Sequence, residues 1–167
     1  MKRIIKILIL SCIFFSMLVP NSVYAAVEGT TNEWQDILLS EREFEEILSK
    51  NPDNEIVANS SDLIIKSSIG VAKDGNTLLI AGQTRCVSGV KKCGFSIVTI
   101  QRKKASSSSW TTYATYKDLY ADRIIYNLSK QIKVTSGYQY RVTCTHYAKK
   151  SLLSVQKLNK TSNIVTF

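Results

Sequence analysis

From Leu63 to Phe167 the chain is written in short apolar or alternating runs separated by turn residues, and this texture limits the fold more than any other feature. The runs are Ser68–Ala72, Thr77–Cys86, Gly94–Gln101, Trp110–Tyr116, Arg123–Val134, Tyr138–Tyr147 and Asn163–Phe167, each rich in Val, Ile, Thr, Tyr or Trp. Between them stand Asp74-Gly75-Asn76, a polar Lys103–Ser109 turn and Ser136-Gly137. Gly and Asn supply the positive φ that reversals need, and β-branched and aromatic side chains suit a pleated, half-buried surface. About seven such strands over 63–167 predict an antiparallel β-sandwich. No helical pattern separates the strands, which argues against a parallel α/β sheet, and no fixed-period repeat is present.

In Tyr138–Tyr147 the period of two places Tyr138, Tyr140, Val142, Cys144 and His146 on one face, the expected core face. Arg141, Thr143, Thr145 and Tyr147 take the other. The stretch Ser136-Gly137-Tyr138-Gln139-Tyr140-Arg141-Val142 resembles the start of strand F in immunoglobulin and fibronectin type III sandwiches, where a tyrosine bonds back to the E–F turn. Tyr140 matches that structural tyrosine corner. Gly82-Gln83-Thr84, Ile100-Gln101-Arg102, a Ser-rich turn, Trp110 and Gly137–Val142 together resemble small secreted β-sandwich proteins of Firmicutes that carry no known function. That resemblance spans roughly 68–148, implies a Gram-positive source and brings no catalytic motif. The fold expected is therefore mainly β, an immunoglobulin-like sandwich preceded by a short acidic α-helix, with Trp110 a candidate core tryptophan.

Ahead of the strands lie two segments of different character. Lys2, Arg3 and Lys6 precede an apolar stretch, Ile7–Val19, and Pro20-Asn21-Ser22 breaks it before Val23-Tyr24-Ala25. This is the pattern of a signal peptide over 1–25 cleaved after Ala25, since a small or β-branched residue at −3, here Val23, and Ala at −1 fit signal peptidase. The apolar run is shorter than the ~20 residues of a spanning helix, so no transmembrane segment is expected in the mature chain. Ile9-Leu10-Ser11-Cys12 is a weaker alternative, a lipoprotein box. In the next segment, 26–62, Trp34, Ile37, Leu38, Phe44, Ile47 and Leu48 recur at helical intervals, interrupted at Glu41. Thr30 with Glu33 and Ser40 with Glu43 both fit a capping box, giving one helix from about 32 or a shorter one from about 41. Asn51-Pro52-Asp53 ends either. Two readings stay open: the helix packs on the following domain with its carboxylates meeting Lys and Arg there, or it is a pro-segment masking a basic site.

Charge separates the segments sharply. Residues 26–62 hold ten acidic and two basic side chains, a net of −8, whereas 63–167 hold seventeen basic and three acidic, a net of +14. The basic residues cluster at Lys91-Lys92, Arg102-Lys103-Lys104 and Lys149-Lys150, each in an expected loop. They are candidates for an anion-binding end of the sandwich, and solvated turn lysines that protect strand edges are the simpler account. Tyr113, Tyr116, Tyr120, Tyr126 and Tyr147 offer stacking platforms, but no nucleic-acid module is legible, so the partner expected is an anionic cell-wall polymer or a protein rather than nucleic acid.

Catalytic signatures are scarce. The chain has one histidine, His146, and no CxxC, HExxH, phosphate loop or nucleophile elbow, so no cofactor or metal is expected. The strand region carries only Asp74, Asp118 and Asp122, too few for a convincing acid/base pair. Cys144 and His146 share a face about 7 Å apart along an ideal strand, which points to a buried thiol with His146 near the rim rather than a nucleophilic dyad. Beyond the leader there are three thiols, Cys86, Cys93 and Cys144. Three pairings are open, with Cys86–Cys93 the preferred disulfide across the loop and a fully reduced set the remaining case. The function expected is that of an exported, non-catalytic binding protein at the cell envelope. The alternatives are a secreted thiol-dependent enzyme or toxin using Cys144 or Cys86, and a protein bridged between chains.

Overall fold

The computed structural model describes residues 34–54 and 62–167, so the leader expected over 1–25 lies outside the described residues. Within them the order is β1 (Gln35–Asp36), α1 (Glu41–Ser49), a single 3-10 turn (Pro52–Asn54), β2 (Ile64–Asp74), β3 (Thr77–Cys86) and β4 (Lys92–Lys104). Then follow β5 (Thr111–Ala121), β6 (Ile125–Lys133), β7 (Tyr138–Lys149), β8 (Val155–Thr161) and β9 (Val165–Thr166). One sheet runs β1-β6-β3-β2, the other β5-β4-β7-β8 with β9 also on β7, and every pairing is antiparallel. The two sheets form a β-sandwich of nine strands rather than about seven. The additional ones, β1 of two residues and β8 of seven, are edge strands with polar sequences, where the apolar alternation that announces a strand is faint.

The core follows from alternation. Ile69 and Val71 of β2, Leu78 and Ile80 of β3, and Leu128 and Ile132 of β6 meet Phe95, Val98, Ile100, Tyr140, Val142 and Cys144 of the facing sheet. In β7 every second residue from Tyr140 to Ala148 is buried, as the sequence predicts. The opposite face of β2 and β3 is covered too. Helix α1 lays Phe44, Ile47 and Leu48 on Ala72 and Ala81, with Leu39 and Leu79 around them. Small residues allow the close approach: a Cβ at Gly70 would stand 2.3 Å from the Ile47 carbonyl oxygen. The shorter of the two expected helices is the one that forms, and Ser40 and Glu43 make the reciprocal capping box.

The acidic segment reaches the basic strands by packing more than by charge. Among the described residues the ion pairs are Asp36 with Lys130 at 2.6 Å and Glu46 with Lys50 inside the helix at 3.2 Å. Among the described residues the expected meeting of the segment's carboxylates with strand Lys and Arg is therefore limited to Asp36 with Lys130, and no carboxylate of α1 takes part. Side-chain amides hold the segment instead. Asn51, buried, donates to the carbonyls of Ile69 and Thr161, and Asn54 accepts from the Ile69 amide. Asn163 pairs in both directions with Val71, and Gln156 accepts from Leu63 and Ile64. These bonds satisfy the exposed edge of β2. At the opposite edge β1 adds to β6, and Trp34 stacks on Tyr116 of β5 with ring centroids 3.8 Å apart.

Candidate functional site

One end of the sandwich gathers Lys91, Lys92, Lys149 and Lys150. Buried anchors bracket each pair: Val90 and Cys93 around the first, Ala148 before the second, all in a cluster with Ile64 and Cys86. Lys92 faces Lys149 across β4 and β7, and the Lys91 amide extends that ladder by donating to the Lys149 carbonyl at 2.8 Å. The four line a cleft of about 530 Å³ together with Tyr120, Asp122, Ser151 and Leu152. Lys92 Nζ stands 5.0 Å over the Tyr120 ring, which leans on Tyr147 at 4.9 Å. Gly94, paired with Tyr120, lets β4 and β5 approach closely, since a Cβ there would meet the Leu119 carbonyl oxygen at 2.3 Å. A hydrogen bond to Asp118 raises the Tyr120 hydroxyl above its ordinary pKa. Among the described residues none of the four lysines pairs with a carboxylate. The site is an open, cation-lined hollow suited to phosphate or carboxylate groups.

The other predicted cations lie elsewhere. Lys92, Arg102, Lys103, Lys104 and Lys149 belong to strands, not loops, because β4 and β7 pair further than the apolar runs suggest. Arg102, Lys103 and Lys104 occupy the far end of β4, roughly 35 to 40 Å from Lys92 at strand rise. There the guanidinium of Arg102 sits 5.0 Å from the Tyr113 ring centroid and 4.7 Å from that of Tyr138. Arg141 and Lys103 stack on Trp110 at 4.3 and 5.2 Å. Trp110 is thus half-buried under cations and precedes β5, not a core residue. Beneath them the Tyr140 hydroxyl donates to the Thr135 carbonyl and accepts from the Thr135 amide, both at 3.1 Å, which ties the start of β7 to the preceding turn.

The thiols divide into two environments. Cys86 and Cys93 end β3 and begin β4, one in each sheet, and their sulfurs are 2.8 Å apart without a bond between them. The hydrogen bond from Cys86 holds the Cys93 thiol below its ordinary pKa, helped by the nearby Arg123, and pushes Cys86 upward together with burial. Cys144 stands apart, 3.5 Å from His146 Nε2. That contact corrects the separation expected from strand rise, because side chains lean along the strand and the imidazole reaches back. His146 is fully buried against Phe95, not at a rim.

The protons of this buried group can be assigned. Thr84 donates its hydroxyl to the Gly94 carbonyl at 2.9 Å, so His146 Nδ1 carries hydrogen and donates to Thr84 at 2.7 Å. Nε2 then accepts from Cys144. Burial drives the His146 pKa down to about 3 and pushes the Cys144 thiol up to about 12. Both groups are neutral at pH 7, so the pair lacks the thiolate a nucleophile requires. Cys144 is also buried, 4% exposed as a residue. The pair is a satisfied polar inset in the core.

Two features escaped sequence reasoning. Thr84 as the partner of His146 depends on the facing of two sheets. Leu152 and Leu153 are 86% and 101% exposed at the β7–β8 tip, beside the lysines. Their signal was available, since two leucines replace the Gly, Asn or Asp that a tight turn favours. Among the described residues no group of His, Cys, Asp and Glu is placed to hold a metal ion, and no helix is long and apolar enough to cross a membrane. Compared with family models, curated proteins and solved structures, the chain matches none.

Proposed function

We propose that this chain is an exported, non-catalytic binding protein of the cell envelope whose Lys91, Lys92, Lys149 and Lys150 end holds an anionic surface. The observation that carries the reading is the convergence of four cations without carboxylate partners on one open cleft. Export follows from the leader-like pattern over 1–25, and it favours an envelope polyanion over nucleic acid. The strand order, β2-β3-β6 facing β5-β4-β7-β8, together with the Tyr140 to Thr135 bonds, supports an immunoglobulin or fibronectin type III type of sandwich.

In an oxidising compartment Cys86 and Cys93 join as a disulfide between the sheets. Their two thiols give two electrons and two protons to an extracytoplasmic thiol oxidant. The bridge fixes β3 to β4 at Cys93, the residue after Lys92 of the cleft. Retention of the protein on anionic envelope polymer, measured between about 50 and 500 mM salt, tests the binding function. The retained fraction falls steeply with salt if charge holds the complex, and retention unchanged over that range contradicts it.

A further inference from the structure

The lysines of the cleft do not stand alone. The β7–β8 connection is closed by the Lys150 and Ser151 amides, which donate to the Ser154 carbonyl at 2.9 and 3.4 Å. That turn leaves Leu152 and Leu153 outward, 86% and 101% exposed, with no described residue covering them. Ile124 in the β5–β6 loop at the same end is 46% exposed, next to Arg123. Leu152 itself lines the cleft with all four lysines, and Asp122 is the carboxylate among them. An apolar tip within a collar of ammonium groups has the polarity profile of a lipid surface, anionic headgroups outside and hydrocarbon within. A soluble polyanion would engage the lysines and leave both leucines in water.

We infer that this end docks on an anionic lipid bilayer, Leu152 and Leu153 entering the acyl boundary while Lys91, Lys92, Lys149 and Lys150 meet the phosphates. The inference rests on the reading that this end holds an anionic surface and names that surface. The tip acts as an apolar anchor and the lysines as the polybasic second signal, a combination that gives reversible peripheral binding. Neither group reaches across a bilayer, so the contact is a landing and not an insertion.

The test uses the full chain carrying Leu153→Trp, with vesicles of phosphatidylcholine alone or mixed with phosphatidylglycerol. The wild-type signal from Trp34 and Trp110 is subtracted. The introduced indole is expected to shift to the blue and to be quenched by acyl-chain-brominated lipid in the anionic vesicles, and in neither way by phosphatidylcholine. Because the reporter sits at the tip, attachment through the apolar run at 7–19 does not produce the signal. In a chain lacking the reporter, Leu152→Ser with Leu153→Ser is expected to weaken sedimentation with anionic vesicles at least about ten-fold, with the unfolding midpoint unchanged. An indole that stays in water, or a double serine variant that sediments like the parent, overturns the inference. Binding of soluble poly(glycerol phosphate) without a vesicle response would leave the polyanion reading in place and refute the bilayer. Failure of both ligands would remove both.

Discussion

The two ends of the sandwich carry similar numbers of cations and use them in opposite ways. At the Tyr140 end, Arg102 lies between Tyr113 and Tyr138 while Arg141 and Lys103 cover Trp110, so three cations there already have aromatic partners. At the Lys91 end one lysine of four lies over a ring, and two leucines stand in solvent beside them. A count of charge along the chain treats the ends alike. Their partners separate a structural closure from a surface that is available to something else.

Breaking the closed end should cost most. Tyr140 is fully buried, its ring 5.6 Å from Tyr113 and 5.5 Å from Phe167, so Tyr140→Ala is expected to remove about 3 to 5 kcal/mol in urea unfolding. Tyr140→Phe, which loses only the two bonds to Thr135, should cost about 1 to 2 kcal/mol. If Tyr140→Ala were no more harmful than changes at the lysine end, the contrast between the ends would fail.

The lysine end rests on chemistry that conditions can alter. Joining Cys86 to Cys93 closes a short loop, and the oxidised protein should be about 2.5 kcal/mol more stable than the reduced one in parallel denaturant titrations. An equal stability would mean that the sheets need no clip there. Acid should act at the same end. The unfolded chain protonates His146 near pH 6.5, whereas the folded chain resists until about 3. Its stabilising contribution is complete above about pH 6.5 and is lost as pH falls toward 3, on the order of 2 to 3 kcal/mol by pH 4.5. The groups around the ring are Cys144, Thr84 and, at longer range, Lys160. His146→Gln should flatten the part of the acid profile that the imidazole supplies, and an unchanged profile would assign the acid loss to carboxylates.

Much of the frame was legible because it depends on local alternation. The period of two in β7 located its buried face, and Ser40 with Glu43 marked a helix start that the structure keeps. Where the chain gives two equal signals, tertiary packing chose. Trp34 and Ile37 continue the helical spacing, yet that stretch pairs with β6 because its ring completes the edge against Tyr116. The site was only half legible. All four lysines stood out in sequence, but so did Arg102, Lys103 and Lys104, and nothing local says that Lys149 and Lys150 join Lys91 and Lys92 at one end of β4 while the other three take the far end. The Cys144 to His146 contact was misjudged for a related reason: strand rise fixes Cα spacing, not how far an imidazole leans.

The most direct test of the account replaces Lys91, Lys92, Lys149 and Lys150 with Glu together and compares binding to anionic envelope material at low salt with folding stability. Three of these lysines are exposed and Lys149 half-buried, and none has an ion partner, so unfolding should shift by no more than about 0.5 kcal/mol per site. Binding should fall to the level of an uncharged control surface, while the same exchange at Lys103 and Lys104 leaves binding in place. Full retention in the fourfold variant, or equal loss from the far-end variant, would contradict the assignment of function to the Lys91 end.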